Sequence, residues 1–295
     1  MSHFITYIFV RIGVYLFYIV PFSVLYIISD FIAFLLQFVF RYRLFEINNN
    51  IHNALSGLSE NEFKLIRKNC YKNLSDILLE GLKGLTMSRA QMRKRYSFVN
   101  PELVDQFANQ RRSVIITGAH VGNWEWAVIS LNDWIIAQAV GVFKPVSNKL
   151  VEKYLNSKRN KLGTRLIPTE QSRNAFQNGL EENDAFLLWG DQSPANPRNA
   201  HWFPIFGIET AWTHGADTIA RQFDYPVFYC KTKRIKRGYY QNTFFLLSEN
   251  PSQTSPTEIT RLFVQKVEES ILENPSDWLW SHKRWKHKRS ILQSE

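Results

Sequence analysis

From Phe4 to Phe40 the chain is almost entirely apolar, interrupted by Arg11, Pro21, Asp30, Gln37 and a few small or hydroxyl residues. A run of this length and aromatic content points to a membrane rather than a buried hairpin. Ile12 to Ser29 supplies 18 uncharged residues, marginal for one span, and Pro21 predicts two helices broken at Val20/Pro21. Spanning the bilayer and lying in its interface both remain open. An Asp at the centre of a span costs about 2.5 to 3.5 kcal/mol, so Asp30 is expected near headgroups or a protein contact. The segment lacks a basic start and a small-residue cleavage site, which argues against a removed signal peptide. Arg41, Arg43, Lys64, Arg67 and Lys68 follow it and place its C-terminal side in the cytoplasm.

Residues 1–45 therefore read as a membrane-anchoring segment and 46–295 as one folded unit. Ser59-Glu-Asn-Glu62 is a capping box, and Phe63, Ile66, Cys70, Leu74, Ile77 and Leu78 continue at helical spacing. The basic run Arg89 to Arg95 reads as a solvated face. Strands and helices then alternate. Ser113–Thr117 is a strand ending in Gly118, Asn123–Leu131 a helix, Ala137–Phe143 a strand, and Lys149–Leu162 a helix closed by Gly163. Thr169–Glu182 is another helix. Ala185–Trp189 is a strand that delivers Gly190-Asp191-Gln192 into a Pro/Asn-rich loop. Thr213 is expected to cap a helix to Phe223, Val227–Lys231 and Tyr239–Leu247 are strands, and Pro256 is expected at the first position of a last helix. The fold class is α/β: a central mixed sheet flanked by helices, with an N-terminal apolar membrane-anchoring helical segment.

Lys and Arg exceed Asp and Glu by 36 to 26, so the partner surface is expected to be anionic. Two cysteines without CxxC spacing support neither a disulfide framework nor a zinc ribbon. No second His or Cys stands at ligand spacing, so neither metal nor cofactor is expected.

Chemistry concentrates in Thr117-Gly-Ala-His-Val-Gly-Asn-Trp-Glu125, a polar cluster where a strand turns into a helix. On one continuous helix His120 and Glu125 would lie about 140° apart, so they meet only if His120 precedes the helix. Gly118 and Gly122 provide that turn and Asn123 a cap. A neutral His can then take a proton from a hydroxyl while Glu125 fixes its tautomer. The plainer alternative, a capping His beside a solvent-facing Glu, is equally compatible with the spacing.

This H-x4-D/E pair after a strand resembles the glycerolipid acyltransferase superfamily, and His-Val-Gly-Asn-Trp-Glu resembles the lipid A late acyltransferases, which move lauroyl and myristoyl groups. Further similarities run in order: Phe143-Lys-Pro-Val-Ser-Asn148, Arg159 before Gly163, Gly190-Asp191-Gln192 with Phe203-Pro-Ile-Phe-Gly207, and Asn274 to Lys286 with its Trp, His, Arg and Lys signature. Lys144 stands where the family commonly has Arg. The resemblance implies a thioester donor, usually acyl carrier protein, and a hydroxyl acceptor on a phosphorylated glycolipid, the lipid A precursor. It implies His120 as general base with Glu125, and a substrate-binding set of Asn123, Lys144, Asn148, Arg159, Asp191, Gln192 and Arg284. Amides near Gly122 and the Arg159 side chain would receive the oxyanion. Asp191 can position Arg159 or His120, or simply turn the chain. The C-terminal cations, interleaved with Trp280 and Trp285, read as a patch for an interface or for lipid A phosphates. Nucleic acid is disfavoured because no recognisable module accompanies the charge. A bacterial inner membrane location with a cytoplasmic catalytic domain is implied. A membrane-associated lipid hydrolase and a non-catalytic anionic-lipid binding protein remain as alternatives, although no G-x-S-x-G elbow supports a covalent hydrolase.

Overall fold

In the computed structural model, which describes residues 2–178 and 183–289, the apolar N-terminus divides at Pro21. α1 (Ser2–Ile19) stops before it and α2 (Phe22–Phe34) starts after it, running into a π-helical turn over Leu35–Val39. Proline lacks an N–H and its ring clashes with the preceding turn, which ends one helix and starts the next. α3 (Leu44–Ala54) leads to α4 (Glu60–Gly84), which opens on the expected capping box: Ser59 Oγ accepts from the Glu62 amide and the Glu62 carboxylate accepts from the Ser59 amide. At the far end of α4, Lys83 Nζ donates to the carbonyls of Phe17, Tyr18 and Val20 at 2.7, 2.9 and 2.7 Å. These lie at the end of α1, where carbonyls lack intrahelical partners, so one cation closes α1 and ties it to α4.

The basic run forms a helix of its own, α5 (Arg89–Arg95), with a second capping box from Ser88 and Gln91. Arg89 and Arg93 both pair with Asp133, so the run is partly engaged. β1 (Tyr96–Phe98), α6 (Glu102–Ala108), β2 (Val114–Gly118), α7 (Trp124–Ser130), β3 (Gln138–Phe143) and α8 (Lys149–Arg159) follow. Then come β4 (Arg165–Pro168), α9 (Thr169–Asn178), β5 (Asp184–Trp189), β6 (His201–Ile205), β7 (Ile208–Trp212), α10 (Gly215–Phe223), β8 (Val227–Lys236), β9 (Tyr239–Ser248) and α11 (Glu258–Glu273). The end of the helix expected to reach Glu182 lies outside the described residues. Thr213 does not cap α10; its hydroxyl donates to the Gly190 carbonyl and His214 precedes the helix. α11 begins two residues after Pro256, with Glu258 reaching back to the Ser255 amide at 3.0 Å.

Seven strands form one mixed sheet in the order β1-β9-β8-β2-β5-β3-β4, in which β8 and β9 are antiparallel and all other neighbours parallel. β6 and β7 make a separate hairpin. β2 is buried along its whole length, as an apolar central strand covered on both faces must be. It runs parallel to β5 in a register that sets Gly118 opposite Trp189. Two chains therefore leave the carboxyl edge of the sheet side by side, and residues just past these strand ends are brought together.

α2 packs on α4 through buried and partly buried polar contacts: Ser29 Oγ donates to Asp76 at 2.6 Å, and Arg237 bridges Asp76 and Asp30 at 2.7 and 2.8 Å. Asp30 is thus held by a protein contact. The opposite faces of the hairpin are apolar and exposed, including Phe9, Ile12, Ile27 and Phe31. Ser2–Ile19 and Phe22–Val39 each offer an 18-residue apolar stretch, 6% and 22% buried, unlike the enclosed core helix of a soluble domain. They are candidate anchors.

Candidate active site

β2 ends at Gly118, and two residues later His120 turns back over the sheet edge. The turn needs Gly122, whose φ is +61°; a side chain there would also press against Thr232 and Tyr240 at 3.1 and 3.2 Å. Asn123 then caps α7, its Oδ1 accepting from the Trp126 amide at 3.1 Å. The C-terminal segment straps this loop: Val121 bridges Trp278, the Gly122 amide donates to the Asp277 carbonyl at 3.0 Å, and the Leu279 amide donates to the His120 carbonyl at 3.2 Å.

Two residues past the end of β5, Asp191 meets His120 twice. One carboxylate oxygen lies 2.6 Å from His120 Nδ1, and the other accepts from the His120 amide at 2.9 Å. The second oxygen also accepts from the Trp278 indole at 2.9 Å. Burial pushes the Asp191 carboxyl up, but His120 and the donors from Trp278 and the His120 amide outweigh it and hold the group below the usual carboxylate range. An ionised Asp191 can only accept, so the proton sits on Nδ1 and the neutral imidazole has its lone pair on Nε2. The spacing argument gave this partnership to Glu125; the structure gives it to Asp191, because the parallel register of β2 and β5 aligns the two strand ends.

Glu125, on the first turn of α7, pairs instead with Arg159 at the end of α8, 3.1 Å away. Both line a cavity of 660 Å³ with His120, Trp124, Lys144 and Gln192. Its remaining walls are largely apolar and include Val128, Val142, Leu166, Phe176 and Ile219. Trp124 stands edge-on to the His120 ring, with centroids 4.9 Å apart. Of the residues singled out from the sequence, this cavity gathers His120, Glu125, Lys144, Arg159 and Gln192.

The others lie behind it or away from it. Asn123 is fully buried; its Nδ2 donates to Glu80, which also accepts from Tyr240 and Tyr26. Burial raises the Glu80 carboxyl above its ordinary range against the pull of these donors. Asn148 caps α8, accepting from the Leu150 and Val151 amides and donating to the His3 carbonyl. Arg284 is buried 4.2 Å from the Trp212 ring centroid and donates to the Ala211 carbonyl, while burial lowers its guanidinium to about 10. The C-terminal stretch is therefore not a surface patch throughout, since Trp278 and Trp280 are also core. The amides near Gly122 are engaged as well, by Asp277 and, for Val121, by the Ala119 carbonyl.

Two further residues shape the site. Trp278 anchors Asp191 from 87 positions along the chain. His282 accepts from the Ser193 amide at 2.9 Å; burial first and neighbouring Arg284 next lower it to about 4, so it is neutral and fixes the loop after Asp191.

The arrangement is an imidazole with an oriented tautomer that lines a largely apolar cavity together with an acid held by an arginine. The family model described as bacterial lipid A biosynthesis acyltransferase matches residues 1–287. Comparison with curated proteins finds no match.

Proposed function

We infer the mechanism from one premise: the chain belongs to the bacterial lipid A biosynthesis acyltransferase family and is an acyltransferase. In our reading it transfers a fatty acyl group from an acyl thioester, carried on acyl carrier protein, to a hydroxyl of a phosphorylated glycolipid. His120 Nε2 takes the hydroxyl proton as the oxygen attacks the thioester carbonyl, and Asp191 holds Nδ1 and stabilises the imidazolium that forms. Glu125 adds negative charge to the same cavity and is kept in place by Arg159. We assign the oxyanion to the guanidinium, which lines the cavity and whose other N–H groups have no hydrogen-bond partner among the described residues. Collapse of the tetrahedral intermediate expels the thiolate, which recovers the proton from His120, leaving an ester and a free thiol. Apolar walls suit the acyl chain, and the volume lies in the ordinary range of roughly 300 to 1,000 Å³ for bound small molecules. The +10 net charge favours an acidic carrier. The exposed apolar faces of α1 and α2 support our reading that the protein sits in the bacterial inner membrane, with the catalytic cavity on the cytoplasmic side.

The observation that carries this reading is the buried Asp191 on His120 Nδ1 at the edge of that cavity. Membranes containing the full chain, given acyl carrier protein thioester and the phosphorylated disaccharide lipid, should yield an acceptor heavier by one acyl group, and His120→Ala membranes should not. Free fatty acid as the only product, or full transfer by His120→Ala, would overturn it.

A further inference from the structure

The reaction makes no use of a second cavity, of 430 Å³, between α1 and α8. Its charged lining is Arg11, Lys158 and Lys161, with no Asp or Glu. Arg11 lies 5.6 and 5.7 Å from the ring centroids of Tyr7 and Tyr154 and donates to the Tyr7 hydroxyl. Lys158 Nζ sits 5.6 Å from the Tyr154 ring. Neither cation meets an acid among the described residues. Lys161 is fixed by the carbonyls of Gly84 and Met87, and burial, then Lys158, lower it to about 8. Cations held this close without a counter-charge favour an anion. The floor is apolar: Val14, Leu85 and Met87 are each buried. Tyr15 and Tyr18, which line it, are exposed, and Ile12, Leu16 and Ile19 expose a neighbouring apolar strip of α1 on the helix proposed to meet the bilayer.

We propose that this groove binds an anionic membrane phospholipid, its phosphate between Arg11 and Lys158 and the start of its acyl chains along Val14, Leu85 and Met87. A free phosphate would use only the cationic half; the apolar floor selects the lipid. The groove also adjoins the active site, because Lys158 immediately precedes Arg159, whose side chain holds Glu125. The occupant rests on the membrane location proposed above, and the test separates the two.

Full-length protein in non-ionic detergent is examined by native mass spectrometry with phosphatidylglycerol, phosphatidylcholine or inorganic phosphate. The expected result is one retained phosphatidylglycerol, at least tenfold less retention in Arg11→Gln/Lys158→Gln, near-complete retention in Lys158→Arg, and no displacement by equimolar inorganic phosphate. Equal retention of phosphatidylcholine, unchanged retention in the double glutamine variant, or displacement by phosphate would overturn the proposal. So would a raised KM for the glycolipid acceptor in the double variant without added phospholipid, since the groove would then belong to the acceptor. Membrane fractionation of the wild type tests the location independently: a soluble wild type that still retains phosphatidylglycerol in detergent refutes the anchoring alone.

Discussion

In the proposed mechanism His120 serves as a base only while Nδ1 keeps its proton, and that depends on the charge of Asp191. Asp191→Asn preserves shape but removes the charge, so kcat should fall by roughly 10² to 10⁴ with little change in KM. Near-normal turnover in folded Asp191→Asn would return Asp191 to a chain-turning role. Glu125 and Arg159 form one unit, so Glu125→Gln and Arg159→Lys should each lower kcat by on the order of 10² or more, and the double variant should cost little beyond the worse single change. Additive losses would show that the two side chains act separately. Asp277 gives a pH prediction. Burial raises its carboxyl to about 6, so the stability it contributes is full below the unfolded carboxylate range and is lost as pH rises through 6. Asp277→Asn should therefore gain on the order of 1 to 3 kcal/mol relative to wild type at pH 8, and the gain should vanish near pH 4. Thermal melts at both pH values decide it. Sequence spacing displayed His120, Glu125 and the turn between them, because those neighbours are local. It could not assign Asp191 to His120 across 71 residues, or Trp278 to Asp191, since both contacts arise from sheet register and from the strap over the loop.

Between elements, the contact that sets α7, and with it Glu125, is the close approach of α4. A Cβ on Gly84 would lie 2.4 Å from the Trp126 indole nitrogen, which already donates to the Glu80 carbonyl in a buried site. One turn earlier, a Cβ on Gly81 would meet Glu125 at an ordinary 3.9 Å. Gly84→Ala must push the helices apart and should cost about 1 to 3 kcal/mol and most of the activity. Gly81→Ala should be tolerated and gain up to about 1 kcal/mol of helix propensity. Equal melting temperatures for the two variants would show that α4 does not set α7. Elements with local signals were legible in the chain: the break at Pro21, the Ser59 capping box, the buried strand before Gly118 and the Gly163 stop. The β6–β7 hairpin was not, because Pro204 and two positive-φ residues, Phe206 and Gly207, read as loop chemistry. β1 and β4 are too short to display an alternation, and their pairing partners, β9 and β3, define them.

At the scale of the molecule, the N-terminal hairpin is joined to the catalytic unit by charge on one side and is apolar on the other. Lys83 closes α1, and Arg237 links Asp30 of α2 to Asp76 of α4. Leu25 of α2 is fully buried in that contact, so the hairpin is part of the fold as well as a candidate anchor. The two roles predict different responses. Arg237→Ala removes a partly buried link, but Asp76 keeps Arg234 and Ser29 and Asp30 keeps Lys72, so stability should fall by about 1 to 2 kcal/mol while the exposed faces of α1 and α2 stay unchanged. That variant should melt earlier yet stay with the membrane. Deleting residues 2–39 removes the apolar faces and the buried contacts together, so it should give an aggregating, inactive protein rather than a soluble enzyme. Ionic strength separates apolar anchoring from attraction of the +10 chain to anionic lipid. At 1 M salt the screening length falls to about 3 Å, enough to weaken surface attraction but not apolar insertion. Full-length protein should therefore remain in the membrane pellet after a 1 M salt wash and leave it only with detergent; release by salt alone would mean that charge, and not the hairpin, holds the enzyme at its substrate.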